Sequence, residues 1–333
     1  MKKGIRIVLA VCVVLLLIYL AGPQPTKPIY SILWPSVPNF QQLDEFVAVQ
    51  ESSHRLKPNN EARIVWANDS FKSPTAYAIV YLHGFSASQM EGDPVHRNIA
   101  QAFGCNLYLA RLAEHGIDTS EQLVSLTPDA YWESAKEALA IGTKLGKKVI
   151  LMGTSTGATL ALQLAATYPD AVHGLVLYSP NISIKDPNAW LLNNPWGLQI
   201  ARLVKKGMYH DPADPRPEYA AYWNKPYRLE AIVALQEMLE TTMQPPMFAR
   251  VHQPTLMLYY YKDESHQDEV VRVDAMLNMF KQLGTESQLK QRWALPEAGD
   301  HVLASPIKSG AVNQVEMLTR NFLLQKMGMP LKY

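Results

Sequence analysis

From Arg63 onward the chain alternates short, nearly continuous apolar runs with longer segments whose apolar residues recur at helical spacing. The short runs are residues 76–82 (AYAIVYL), 106–112 (NLYLARL), 148–152 (KVILM), 174–178 (GLVLY) and 255–261 (TLMLYYY). A more polar run, 288–295, reads as a final strand. Strands apolar at almost every position are buried on both faces, which places them in a parallel sheet beneath helices. Helical patterns fall over about 94–103, 129–145, 157–168, 272–283 and 309–327, and Thr127-Pro128 supplies a cap and a first-turn proline for the second. The alternation predicts a doubly wound, mostly parallel α/β sheet over residues 61–181 and 251–333.

Two stretches break the rhythm. Residues 182–250 hold no clean strand but carry Trp190, Trp196, Trp223, Tyr222, Met208 and Pro245-Pro246. A structureless loop of that length is improbable in a compact domain, so a helical insertion over one edge of the sheet is expected. Its aromatic residues serve either as a small core of its own or as the lining of a lid. The other departure is the N-terminus, where Lys2, Lys3 and Arg6 precede the apolar run Ile7–Gly22. Residues 1–22 are therefore expected to be a retained signal-anchor helix, with a cleaved signal peptide as the alternative. Tyr19 stands where a signal peptidase prefers a small residue, which favours the anchor. In both cases the body lies on the extracytoplasmic side, either membrane-anchored or secreted and periplasmic. Residues 23–60, with Pro23, Pro25, Pro28, Pro35 and Pro38, read as an extended tether and approach segment.

Charge then removes whole classes of function. The chain has 333 residues, 31 Lys+Arg against 30 Asp+Glu, a formal net charge of +1 and 48% hydrophobic residues. Near-neutrality gives no electrostatic footprint for nucleic acid, and the hydrophobic content is that of a large packed core. The two cysteines, Cys12 and Cys105, make neither a disulfide framework nor a cysteine zinc site. No metal or nucleotide signature is present, so no cofactor is expected.

Candidate chemistry centres on Gly153-Thr154-Ser155-Thr156-Gly157, which follows the 148–152 run directly and opens the next helix. Glycines two residues either side allow a turn so sharp that the serine is strained and its oxygen exposed at the strand end. A serine needs a base to take its proton and an acid to orient that base. His301, in the loop Pro296–His301 after the final strand, is the histidine in the required place. An oxyanion needs two amides: Thr156 N–H, directly after the nucleophile, and Phe85 N–H, in the loop Tyr81-Leu-His-Gly-Phe-Ser86. His83 in that loop is expected to hold the turn rather than to act as base.

In order and spacing, His83-Gly84-Phe85, Gly153–Gly157 and His301 resemble the α/β-hydrolase superfamily. Leu82-His-Gly-Phe-Ser-Ala-Ser88 and Arg111-Leu-Ala-Glu-His-Gly116 look like its carboxylesterase, monoacylglycerol lipase and lysophospholipase group. Two departures are Glu114, where that group commonly has glycine, and Thr154, where histidine is frequent. The resemblance implies an α/β-hydrolase fold, a lid at about 182–250 and a triad acid after the strand 255–261. Asp263 lies at the usual distance along that strand, whereas Asp268 precedes Val270-Val271 as in the usual Asp-x-Val-Val approach to the following helix. Asp268 is the preferred acid and Asp263 the alternative.

The expected function is hydrolysis of carboxylic esters, acyl or lipid-like, by a serine hydrolase, with the membrane met through the N-terminal helix. A serine peptidase of the same superfamily is the alternative enzyme. A non-catalytic binding protein on the same scaffold would require a broken triad.

Overall fold

The structure is a computed structural model and describes residues 2–332, with side chains for 4–332. Its strands are β1 Arg63–Val65, β2 Thr75–Leu82, β3 Asn106–Leu109, β4 Gly146–Thr154, β5 Gly174–Tyr178, β6 Tyr209–His210, β7 Tyr227–Arg228, β8 Thr255–Tyr259, β9 Tyr261–Asp263, β10 His266–Gln267 and β11 Lys290–Ala294. Seven of them form the central sheet in the order β1-β3-β2-β4-β5-β8-β11. All neighbours in it are parallel except β1 and β3.

Side chains in a strand alternate between faces, and here both faces are apolar. Ala78, Val80 and Leu82 of β2 join the core beneath the helices Pro128–Leu145, Thr156–Thr167 and Val273–Gln282. Ile79 and Tyr81 join the opposite core, against Val95–Phe103 and Val312–Gln325. Full burial of a large apolar side chain is worth roughly 1.5–3 kcal/mol, so the near-continuous apolar runs are what commit these segments to the sheet interior. Thr127 Oγ1 accepts from Ala130 N–H and Pro128 occupies the first turn, as the sequence predicts.

The sheet order reverses direction at β2: β3 lies on one side of it and β4 on the other. Ligands of open α/β sheets bind beyond the carboxyl ends of the strands at such a switch. The loops after β2 and β4 both end there.

The interval between β5 and β8 folds into helices, Gly197–Lys205, Pro217–Tyr222, Leu229–Thr242 and Pro245–Phe248, together with the short β6–β7 pair. It has no separate core of its own along Leu229–Thr242, whose Ala231, Leu235, Met238 and Leu239 join the main core under the sheet.

The N-terminal region differs from the expected spacer. Residues 43–52 form a helix whose Leu43 and Val47 are buried in the main core. The extended stretch before it is fastened across the body. Ile29 and Tyr30 N–H both donate to Asp129 Oδ1, at 2.9 and 2.8 Å. Trp132 Nε1 donates to Ser31 O at 2.7 Å and Lys136 Nζ to Leu33 O at 2.9 Å. Prolines keep the chain extended, but backbone groups of an extended chain need partners, and the helix Pro128–Leu145 supplies them. Residues 2–20 are helical. Among the described residues no helix is long and apolar enough to cross a membrane, so the expected spanning anchor has no support in the fold. The apolar run of 7–22 covers roughly 24 Å at 1.5 Å per residue, short of a bilayer core of about 30 Å.

Candidate active site

Ser155 stands between β4 and the helix Thr156–Thr167 with φ +53° and ψ −118°. A positive φ costs energy for a residue carrying a Cβ, and persists only where the surroundings impose it. Here Ser155 N–H donates to Tyr178 O at 2.8 Å, and Ser155 O accepts from Thr159 and Asn181 N–H, each at 3.1 Å. The flanking glycines are required by contact distance. A Cβ at Gly157 would meet Leu82 O at 1.9 Å, and one at Gly153 would meet the carbonyl carbon of Gly157 at 2.6 Å. The sharp turn at Ser155 thus exists because the backbone of the turn closes on itself and on the end of β2 to within contact.

His301 lies in the loop after β11, buried, and its Nδ1 is 2.6 Å from Asp268 Oδ2. Asp268 is fully buried, and its Oδ1 accepts from Val270 N–H at 2.9 Å and Val271 N–H at 3.0 Å. Burial alone would lower the His301 pKa; the Asp268 carboxylate, with Glu91 and Asp300 behind it, outweighs burial and raises it. His301 Nε2, the ring nitrogen not bonded to Asp268, is buried and has no hydrogen-bond partner. Ser155 and His301 line the same cavity.

Asp263, the alternative acid, is elsewhere. After β8 the chain turns out into the β9–β10 hairpin, and Asp263 at its exposed tip pairs with His266 Nδ1 at 2.9 Å. The residues between the two aspartates are thus consumed by a hairpin. Val271 is buried and Val270 half exposed, so the Val-Val pair holds the acid through its amides more than through its side chains.

Phe85 lies in the loop after β2, whose conformation is fixed by two buried imidazoles. Leu112 N–H donates to His83 Nε2 at 3.0 Å, which leaves His83 Nδ1 as the donor to Gly84 O at 2.9 Å. Burial lowers the His83 pKa to about 4, so the ring is neutral. Ser86 N–H donates to His115 Nε2 at 3.0 Å, and the Tyr131 hydroxyl shares that nitrogen. His83 is therefore a structural residue, as expected. Glu114, beside His115, has φ +66°, the left-handed conformation that glycine adopts at no cost.

The cavity in front of Ser155 measures about 570 Å³. Its far wall comes from the 182–250 insertion: Leu192, Ile200, Val204, Leu229, Ile232 and Leu235. Most of that wall is apolar, a lining matched to a hydrocarbon chain. The insertion is clamped to the His301 loop by ions. Lys308 Nζ lies 3.0 Å from Asp214 and 3.3 Å from Asp300, and Arg216 pairs with the same Asp214.

The structure brings Ser155, His301, Asp268, Phe85 and Thr156 to the carboxyl end of the sheet and leaves Asp263 outside. Two further buried groups, His115 and Glu91, back the Phe85 loop: His115 lies in the motif Arg111–Gly116 without its role being evident there, and nothing in the local pattern around Glu91 separates it from a surface residue. Among the described residues no group of three or more His, Cys, Asp or Glu could hold a metal ion.

Solved structures share this arrangement of elements at low identity. A metagenome-derived lipolytic enzyme, of the pair LipS and LipT, is 15% identical, with a TM-score of 0.64 over 81% of this chain and 99% of its own. A monoacylglycerol lipase from Paleococcus ferrophilus is 16% identical, with a TM-score of 0.59 over 80% of this chain and 98% of its own. Est1E from Butyrivibrio proteoclasticus, bound to ferulic acid, is 15% identical, with a TM-score of 0.54 over 80% of this chain and 95% of its own. No curated protein matches the chain in sequence. The model of the alpha/beta hydrolase family matches residues 79–308, which contain the Ser155 turn, the Phe85 loop, Asp268 and His301, and the chain belongs to that family.

Proposed function

We propose that the protein hydrolyses carboxylic esters of apolar acyl groups by two-step acyl transfer. The observation that carries this reading is the 2.6 Å Asp268–His301 contact, with the unpartnered His301 Nε2 and the strained Ser155 on one apolar cavity. In the first step Ser155 Oγ attacks the ester carbonyl carbon while His301 Nε2 takes its proton. Asp268 holds the imidazole in the tautomer that accepts at Nε2 and favours the imidazolium that forms. The oxyanion is received by Phe85 and Thr156 N–H, and the leaving alkoxide takes the proton back from His301. Water, deprotonated by His301 in turn, then cleaves the acyl-enzyme.

The insertion 182–250 acts in this reading as a lid whose apolar wall takes the acyl chain. Neighbours in fold that are named lipolytic enzyme and monoacylglycerol lipase point the same way. A peptidase would want free acidic groups to receive a peptide amino terminus; on the cavity wall Asp300 is paired with Lys308, and Glu91 is buried against Gly84 N–H. Turnover of p-nitrophenyl esters from acetyl to palmitoyl, beside peptide amides, tests the reading, with Ser155→Ala as control. Faster hydrolysis of amides than of esters would overturn it.

The same proposal includes attachment to a membrane through residues 1–22, with the body on the extracytoplasmic side. Its support is a helix whose apolar side chains from Ile7 to Leu20 are exposed, an apolar surface larger than proteins in water tolerate. Recovery of the native protein in the soluble fraction with Met1 intact would contradict it.

A further inference from the structure

We propose that Glu91 is a positioning residue of this site: its buried carboxylate fixes the His83–Gly84 peptide, next to the one that carries Phe85 N–H, and stands in the cavity that His301 also lines. The proposal rests on the acyl-transfer reading above and adds a group that reading does not use.

The geometry is local. The short turn Gln89–Gly92 brings Glu91 back beneath the loop after β2, where it is buried and lines the same cavity as Ser155. Glu91 Oε2 accepts from Gly84 N–H at 2.6 Å. His83 Nδ1 donates to Gly84 O at 2.9 Å. Gly84 is therefore held at both its amide and its carbonyl, and the carbonyl belongs to the peptide unit whose nitrogen is Phe85 N. His83 fixes that plane and Glu91 fixes the preceding one, so the two torsions of Gly84 are set between them; Phe85 N–H then has one direction available, and a preorganised donor needs no rearrangement as charge develops.

Glu91 is also close to the nucleophile. A Cβ built on Gly84 would lie 2.8 Å from Glu91 Oε1 and 3.1 Å from Ser155 Cβ, so the carboxylate and the serine flank one glycine. No larger residue fits between them. A buried carboxylate with one amide donor is costly to ionise, and burial raises the Glu91 pKa to about 7 despite the Gly84 N–H. The groups around it are His301, Asp300 and Lys308 from the His301 loop, Tyr81 from β2, Tyr131 from the helix Pro128–Leu145 and Tyr219 from the insertion. The nearby positive partner whose protonation matters to catalysis is His301, and an ionised Glu91 favours its imidazolium form.

The test is the rate of Ser155 labelling by a fluorophosphonate across pH in the full chain, for wild type, Glu91→Gln and Glu91→Ala. Glutamine keeps an acceptor for Gly84 N–H and loses the charge, whereas alanine loses both. We expect Glu91→Ala to label about 10- to 100-fold more slowly, less than the roughly 10²–10³ that outright loss of an oxyanion donor costs. Glu91→Gln should recover most of that loss, with its acid limb displaced to lower pH because His301 loses a carboxylate that favours its proton. Labelling of Glu91→Ala as fast as the wild type, or of Glu91→Gln slowed by about 10-fold or more, overturns the proposal, and the second holds even if Glu91→Ala does not fold. Labelling of the wild type without turnover of any ester would sink the ester reading and leave this one standing. A wild type that is not labelled at Ser155 would contradict the acyl-transfer chemistry on which both depend.

Discussion

The carboxylate of Asp268 is divided between two tasks: Oδ2 meets His301 Nδ1 at 2.6 Å, and Oδ1 accepts the amides of Val270 and Val271 at 2.9 and 3.0 Å. One oxygen is fixed by backbone so that the other can fix the imidazole. The tautomer of His301 thus depends on a single buried side chain.

Asp268→Asn is accordingly expected to lower ester turnover by about 10³- to 10⁴-fold while the protein stays folded, since asparagine preserves shape but permits the wrong imidazole tautomer. Asp263→Asn, at the tip of the β9–β10 hairpin, should leave turnover within about twofold. Parallel steady-state kinetics of the two variants check this, and a large loss confined to Asp263→Asn would reverse the assignment.

The pH dependence follows from the sign of the His301 shift. A base whose pKa is raised holds its proton to higher pH, so activity is lost as pH falls through a value above the ordinary 6.5. The acid limb of kcat/KM should lie above that value in the wild type. In Asp268→Asn the residual activity should show a limb displaced to lower pH, because the carboxylate that most favours the imidazole proton is gone. A wild-type limb well below 6.5 would mean that burial, not Asp268, governs the imidazole.

Chain-length preference tests the cavity wall. Ile232→Trp fills part of the space that the insertion offers to an acyl chain. Its effect should be selective, lowering kcat/KM for long-chain esters by about tenfold, the cost of two or so unburied methylenes at about 0.8 kcal/mol each. Acetyl esters should be nearly unaffected. Equal losses on both would show that this wall does not read the acyl group.

The N-terminal strap makes a prediction about stability. Asp129 Oδ1 accepts two amides of the strap from the first turn of its helix. Asp129→Ala should destabilise the fold by roughly 0.5–2 kcal/mol, since it removes two hydrogen bonds, one at an exposed and one at a half-buried amide, and water can reach the exposed one. Thermal denaturation followed by circular dichroism measures it, with no change expected in the pH profile of whatever activity survives.

Much of this site is legible in the sequence because its chemistry is local. Gly153 and Gly157 bracket Ser155 between an apolar run and a helical pattern, the context in which that spacing marks a sharp strand-to-helix turn, and His301 follows the last strand within a few residues. The runs 76–82, 148–152 and 174–178 announce themselves because both faces of their strands are buried. Other features depend on contacts between residues far apart in the chain. Asp268 and Asp263 differ only by a hairpin whose turn is made by Asp263 itself, through its bonds to Ser265 and His266 N–H. Glu91 looks like a surface residue until Gly84 N–H is placed against it. The prolines of 23–38 correctly indicate extended chain but say nothing of the Asp129, Trp132 and Lys136 side chains, about a hundred residues away, that fasten it. Short β1, with three residues, is too brief for its alternation to register.

That Ser155 is the nucleophile of a buried Ser-His-Asp unit is tested most sharply by peptide mapping with mass spectrometry after reaction with a fluorophosphonate. One covalent adduct is expected, on the peptide containing Ser155, formed in the wild type, absent in Ser155→Ala and slowed by orders of magnitude in His301→Ala. An adduct on any other residue, or ester turnover undiminished in Ser155→Ala, would contradict that role.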